Sequence, residues 1–223
     1  MKALILLSGG LDSTTALALA FKQGRECSAI SILYGQRHDN ELFSAERVAR
    51  DYDIPWWQRK VDIPKGDSVL MHHTSEVPHK SYAEIEGVSP TYVPFRNGML
   101  LSLATAFALD TGHDEVWFGA HADDADGWAY PDCTPEFIGA MQNAIFVGTY
   151  HKVRLVAPFT YATKEDIVAL GLKLNAPYHF TTSCYEGASG WACGECPTCL
   201  SRLEAFAANG AVDPITYAVT NAN

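Results

Sequence analysis

The chain has 223 residues, 48% of them apolar, enough for one compact domain with a sizeable core and at most a small appendage. Its formal net charge of −10 argues against a bulk basic surface for RNA or DNA, so no direct nucleic-acid partner is expected. Met1-Lys2 precedes an apolar run too short for a signal peptide, and no run reaches membrane-spanning length, so a cytoplasmic protein with no membrane partner is expected.

The first element is the most informative. The apolar run Ala3-Leu4-Ile5-Leu6-Leu7 leads into Ser8-Gly9-Gly10-Leu11-Asp12-Ser13, and residues 14–21 continue with a helical pattern. A continuous apolar run bounded by a turn suits a parallel strand covered on both faces. Strand, glycine turn and helix N-terminus together aim backbone N–H groups and the positive end of a helix dipole at one point, which suits a phosphate chain. Paired glycines let that ligand approach without a Cβ in the way, and Ser8 and Ser13 add hydroxyls. Asp12 is a carboxylate among expected phosphates, tolerable where it holds the loop or helps place Mg²⁺. The plainer alternative is a tight turn with Ser13 as a helix cap. The loop lacks the Gly-Lys-Ser/Thr ending of a Walker motif and is not GxGxxG.

Residues 27–33 read as a second strand, with Cys27 a small core residue. Tyr34-Gly35-Gln36-Arg37-His38 follows at that strand's carboxyl end, where open α/β sheets bind ligands. Arg37 and His38 there face a nucleotide or a neighbouring subunit, or simply begin a helix. Residues 40–52 carry Leu42, Ala45, Val48, Ala49 and Tyr52 at helical spacing, and residues 57–61 read as a short third strand. Residues 63–92 are weakly patterned and broken by prolines and glycines, and His72, His73 and His79 there read as loop histidines.

Residues 99–109 form the most apolar helix, expected to be buried. Arg96 and Asn97 stand at its entrance, where Arg96 needs an anionic partner and Asn97 is otherwise an ordinary cap. Residues 115–119 are a fourth strand. After it, residues 120–133 gather His121, Asp123, Asp124, Asp126 and Asp132 with Trp128 and Tyr130. Aromatic rings set among charges suggest stacking on a planar ligand. A helix over residues 135–147, a fifth strand at 154–157 and a helix over 167–172 complete the alternation. Thr163 is a plausible cap with Asp166 three residues on. Lys164 sits in the first turn, where lysine helps a helix least, and this misfit suggests contact with phosphate. Strands alternating with helices predict a doubly wound parallel α/β sheet over residues 1–175.

The tail, residues 176–223, carries Cys184, Cys193, Cys196 and Cys199 at Cys-x8-Cys-x2-Cys-x2-Cys spacing. Four thiolates with two close pairs suit one tetrahedral Zn²⁺, and such a site would stabilise a tail with little core. Two disulfides and a catalytic Cys-x-x-Cys are the alternatives.

The string SGGLDS in its strand–turn–helix setting resembles the pyrophosphate loop of the N-type ATP pyrophosphatases, which cleave ATP to AMP and pyrophosphate and activate a carbonyl oxygen as its adenylate. SGGLDS, YGQRH, PFRN, GWAYPDC and the four-cysteine tail, in this order, resemble the 7-cyano-7-deazaguanine synthase (QueC) family over nearly the whole chain. That resemblance implies a homodimeric, queuosine-pathway ligase that converts 7-carboxy-7-deazaguanine, ammonia and ATP to the nitrile through an adenylate and an amide. It implies Zn²⁺ on Cys184, Cys193, Cys196 and Cys199, and ATP on Leu7, Ser8, Gly9, Gly10, Leu11, Asp12, Ser13, Thr14, Thr15, Ala16 and Leu17, with Arg37. Ser13 with Mg²⁺ and Lys164 would hold the pyrophosphate, Asp12 would organise the loop and the metal, Arg37 and Arg96 would stabilise charge, and Arg96, Asn97, Trp128, Tyr130 and Asp132 would hold the deazapurine. An adenylating ligase that stops at the amide is the alternative; a tRNA-thiolating enzyme or a zinc nucleic-acid module fits the acidic chain less well.

Overall fold

The computed structural model describes residues 1–35, 40–71, 88–186 and 191–218. Arg37, His38, His72, His73 and His79 lie outside them. The chain runs β1 (Lys2–Leu6), α1 (Leu11–Lys22), β2 (Glu26–Leu33), α2 (Asn40–Asp51), β3 (Trp56–Lys60), α3 (Arg96–Thr111), β4 (Glu115–Trp117), a single turn α4 (Ala122–Ala125), α5 (Pro135–Gly148), β5 (Arg154–Val156), α6 (Lys164–Lys173) and α7 (Pro197–Ala208).

The five strands form one parallel sheet in the order β3-β2-β1-β4-β5. This is the doubly wound architecture the alternation predicts. The chain winds outward from β1 through β2 to β3, then crosses back to lay β4 on the other side of β1. The gap between the carboxyl ends of β1 and β4 is therefore the switch point, where such sheets hold ligands.

Successive residues of a strand face opposite sides, and β1 divides accordingly. Ala3, Ile5 and Leu7 enter one core with residues of α1, α2, α6 and α7; Leu4 and Leu6 enter the other with residues of α3 and α5. Ile5 and Leu4 are fully buried, and each such side chain contributes about 1.5–3 kcal/mol. This covered central strand fixes the loop that follows it.

Two helices start earlier than their patterns predict. α1 begins at Leu11 because Gly10, in extended backbone, serves as its N-cap and Leu11 is already buried. Asp12 and Ser13 are thus in its first turn. α3 begins at Arg96 because its cap comes from elsewhere: the Asn97 N–H donates to the Asp132 carboxylate at 2.9 Å. α6 starts as expected, with a reciprocal capping box between Thr163 and Asp166.

The tail does not stand apart. Tyr178, Ala205 and Phe206 belong to the same core as β1 and α1, so residue 175 falls inside one packed unit. The cysteine cluster forms a small separate core with Ala192. The chain beyond α7 returns to it, with the Ala192 N–H donating to Thr216 O at 3.0 Å.

Candidate functional site

The loop after β1 is held from both sides. Ser8 and Ser13 hydroxyls lie 3.0 Å apart, the Ser8 N–H donates to Ser13 Oγ at 3.2 Å, and the Gly10 N–H donates to Ser8 Oγ at 3.2 Å. The Thr182 N–H donates to Gly9 O at 3.0 Å, docking the tail on the loop. Gly9 has φ +87°, and a Cβ there would lie 2.1 Å from the carbonyl oxygen of Glu41. Only glycine lets the loop rest on α2 in this way. Gly10 provides no side-chain cap to α1, so the positive end of the helix is presented to the space above the loop.

That space is a cavity of about 250 Å³. Leu7, Ser8, Gly10, Leu11, Asp12 and Ser13 form its floor, and Phe118, Gly119 and Ala120 at the end of β4 form the opposite lip. Gly9 lies beneath the floor against α2. Thr14, Thr15, Ala16 and Leu17 of the expected nucleotide set do not line the cavity. These four are buried along α1; Thr15 Oγ1 is 2.7 Å from Tyr178 Oη, and Ala16 and Leu17 pack in the core. They anchor the helix that carries the loop.

On one side the cavity is rich in charge. Lys164 Nζ donates to both oxygens of Asp12 at 2.7 Å, so the sequence misfit of a lysine in a first helical turn has its partner 152 residues away. The Lys164 N–H donates to Asp123 at 2.7 Å, tying α4 to α6. His121, 2% exposed, places Nε2 3.3 Å from Asp124 and 3.9 Å from Asp12. Burial works to raise the Asp12 carboxyl, but Lys164 and His121 together hold it below the usual range.

The other side carries Tyr34, Glu41, Arg96, Asn97 and Cys133. Arg96 Nη1 donates to Tyr34 Oη at 3.2 Å. Asn97 Nδ2 donates to Cys133 Sγ at 3.2 Å. Burial pushes the Cys133 thiol well up, making it a neutral neighbour rather than a nucleophile.

The three other residues expected at the substrate are placed differently. Tyr130 is buried in the core beside α3, its hydroxyl bonded to those of Thr91 and Ser89. Asp132 spends one oxygen on the α3 cap, and burial raises its carboxyl further than the Asn97 N–H and Arg96 lower it. Neither lines the cavity, and Trp128, 64% exposed with φ +61°, lies outside its wall. The aromatic ring and the carboxylate that do line this side are Tyr34 and Glu41, which the sequence pattern did not distinguish from ordinary strand-end and helix residues.

The remaining wall comes from the tail: Thr182, Ser183, Tyr185, Thr198, Ser201 and Arg202. Arg202 is 1% exposed and forks onto both oxygens of Asp213 at 2.7 and 2.9 Å, and also donates to Thr181 Oγ1 at 2.7 Å. No local sequence signal marked these residues.

Just behind that wall, the Sγ atoms of Cys184, Cys193, Cys196 and Cys199 lie within 4.8 Å of one another, as a metal ion requires. Cys193 and Cys199 Sγ are 3.9 Å apart, close to the roughly 3.8 Å edge of a tetrahedron with 2.3 Å metal–sulfur bonds. Backbone N–H groups of Glu186, Cys193, Glu195 and Cys196 point at the Cys184 and Cys193 sulfurs at 3.2–3.4 Å, which suits thiolates. All four are free of disulfides. Cys196 is pushed down by hydrogen bonds from Cys184 and Cys199, whose own thiols those contacts push up. The donor set fits a structural metal.

A parallel sheet with a glycine turn, a helix N-terminus and paired charges at its switch point defines a doubly wound α/β protein with an anion-accepting loop. NMN synthetase from Francisella tularensis shares that fold, with a TM-score of 0.50 at 16% identity over 95% of this chain and 78% of that one. Within the fold the chain belongs to the family described as queuosine biosynthesis protein QueC, whose model matches residues 2–210. It is 45% identical to the 7-cyano-7-deazaguanine synthase of Thermoplasma volcanium, over 97% of this chain and 90% of that protein. It is 44% identical to the enzyme of the same name from Oceanobacillus iheyensis, over 97% and 98%. No helix among the described residues is long and apolar enough to cross a membrane.

Proposed function

We propose that this chain is an ATP-dependent carbon–nitrogen ligase that converts 7-carboxy-7-deazaguanine and ammonia to 7-cyano-7-deazaguanine. The observation that carries the reading is the Ser8–Ser13 loop at the switch point, set beside Lys164 and Asp12 in a chain of the QueC family.

A carboxylate resists ammonia because oxide is a prohibitive leaving group. Adenylation replaces it with AMP, ammonia then gives the amide, and a second adenylation on the amide oxygen lets AMP leave again to give the nitrile. This chain's part is to position ATP and stabilise the departing pyrophosphate. Ser8, Gly10 and Ser13 with the α1 N-terminus receive the pyrophosphate, and Lys164 exchanges Asp12 for a phosphate oxygen. Asp12 and Asp124 are the carboxylates that would hold Mg²⁺ arriving with ATP. Arg96 and Asn97 lie opposite, where the deazapurine's carboxyl group would be oriented.

Zn²⁺ on Cys184, Cys193, Cys196 and Cys199 would supply a cross-link and no chemical step. Its structural effect reaches the cavity through Ser183 and Tyr185, which flank Cys184 and line the wall. A homodimer working in the cytoplasm completes the reading.

The test is the nucleotide product. With the carboxylate, ammonium and Mg-ATP, the protein should form AMP and pyrophosphate, each dependent on the carboxylate. ADP and phosphate, or AMP formed at the same rate without the carboxylate, would overturn it.

A further inference from the structure

Making a nitrile from ammonia removes three N–H protons, and no group considered so far accepts them. After ammonia attacks the acyl adenylate, the new C–N⁺ centre must lose one proton as the C–O bond to AMP breaks. The adenylated amide must then lose two, with the second C–O bond to AMP breaking as the carbon–nitrogen triple bond forms. A proton acceptor must therefore sit in the cavity and recycle between steps.

Among the described residues three carboxylates line the cavity: Asp12, Asp124 and Glu41. Asp12, paired with Lys164 through both oxygens, is a carboxylate that would hold Mg²⁺ once ATP is bound. Asp124 lies 3.3 Å from His121 Nε2, on the phosphate side. Glu41 stands on the opposite side, with Arg96 and Asn97, in the first turn of α2. Its main chain is fixed against the loop, since its carbonyl oxygen occupies the space a Cβ of Gly9 would need.

We infer that Glu41 is the general base that takes the N–H protons in both halves of the reaction. The inference rests on the ligase reading above. Its surroundings suit the role. Among the described residues the charged and titratable groups facing it are Arg96 from α3 and Tyr34 from the end of β2, with Tyr185 of the tail facing Arg96 in turn. Burial, partly offset by Arg96, pushes the Glu41 carboxyl up to about 7. A base near neutrality both accepts a proton from nitrogen and returns it to solvent before the next. A carboxylate committed to Mg²⁺, as Asp12 would be, would not.

The test starts from the amide, 7-amido-7-deazaguanine, with Mg-ATP, because this half needs no ammonia and so removes ammonia's own titration. Wild-type turnover to the nitrile should rise with pH through a limb near 7. Glu41→Gln should lower kcat by about 100-fold or more, remove that limb, and leave pyrophosphate exchange into ATP and the KM for the amide within a few-fold of wild type. Glu41→Asp should restore part of the rate with a displaced limb, and it carries the test if the glutamine variant does not fold. Unchanged kcat or an unchanged limb in either variant would overturn the inference. So would a loss confined to KM, which would make Glu41 a recognition residue, or a parallel loss of pyrophosphate exchange. If the wild type forms no nitrile, the ligase reading fails instead, and that result is seen before any variant is compared.

Discussion

Gly9 and Gly10 are neighbours, yet an added methyl group should have opposite consequences at the two. At Gly9 the backbone is left-handed, with φ +87°, and the methyl would lie 2.1 Å from Glu41 O and 2.7 Å from Ala45 N. Both are main-chain atoms of α2 and have no rotamer in which to retreat. The left-handed conformation costs an L-residue roughly 1–2 kcal/mol, and forcing apart a packed contact costs about 1–3 kcal/mol more. Gly9→Ala should therefore lose about 2–5 kcal/mol of stability. At Gly10 the backbone is extended, with φ −81° and ψ 169°, and the nearest atoms to the methyl are Ser8 Oγ at 3.3 Å and Thr182 O at 3.5 Å. That conformation suits any residue, so the change in stability should stay within about 1 kcal/mol. The Gly10 methyl enters the cavity instead, and AMP formation should fall. For a chain of 223 residues, the Gly9→Ala loss corresponds to a drop of roughly 4–20 °C in Tm. Calorimetry of the two variants beside the wild type makes the comparison. A Gly9→Ala protein melting with the wild type would refute the packing of this loop on α2.

Three further outcomes are expected. Arg202→Met strips the cation from Asp213 at a site where both side chains are almost fully buried, and should cost about 3–5 kcal/mol in urea unfolding; adding Asp213→Asn should recover part of it. Asp12 is held below its ordinary value of 3.8, so its pairing stabilises the fold above that pH and the contribution fades as pH falls through the lower folded value. Lys164→Met should therefore reduce stability at neutral pH and flatten the acid limb of the stability profile, measured by thermal melts from pH 7 down to about pH 2. Cys196→Ser should lose the bound metal, read by elemental mass spectrometry, and melt earlier; a variant of wild-type stability without metal would contradict a structural role.

What could be read from the sequence was what is local. The apolar run, the two glycines and the helical pattern after them occupy consecutive residues, so β1, the loop and α1 followed from composition and periodicity. The cysteine spacing was legible for the same reason, since three of the four thiols come from one short turn into α7. Lys164 was visible only as a misfit, because the Asp12 carboxylate that explains it belongs to the other end of the domain. The cap on α3 was not visible at all, because Asp132 supplies it from 35 residues away. The same cap takes Asp132 away from the cavity, and the hydroxyls of Ser89 and Thr91 bury the polar end of Tyr130. An aromatic among acids looks alike in a sequence whether it faces a ligand or a pair of threonine and serine hydroxyls. Glu41 was illegible for the converse reason. A glutamate in the first turn of an amphipathic helix is ordinary, and only the loop packed on its backbone and Arg96 beside it on the cavity wall make it otherwise.

In the proposed reaction one cavity activates the same substrate carbon twice. The most direct measurement incubates the protein with 7-carboxy-7-deazaguanine, ammonium and Mg-ATP, and follows the product by mass spectrometry while AMP is counted. The expected product has the mass of the nitrile, with two AMP released per molecule formed. Product that stops at the mass of the amide, with one AMP per molecule, would contradict it.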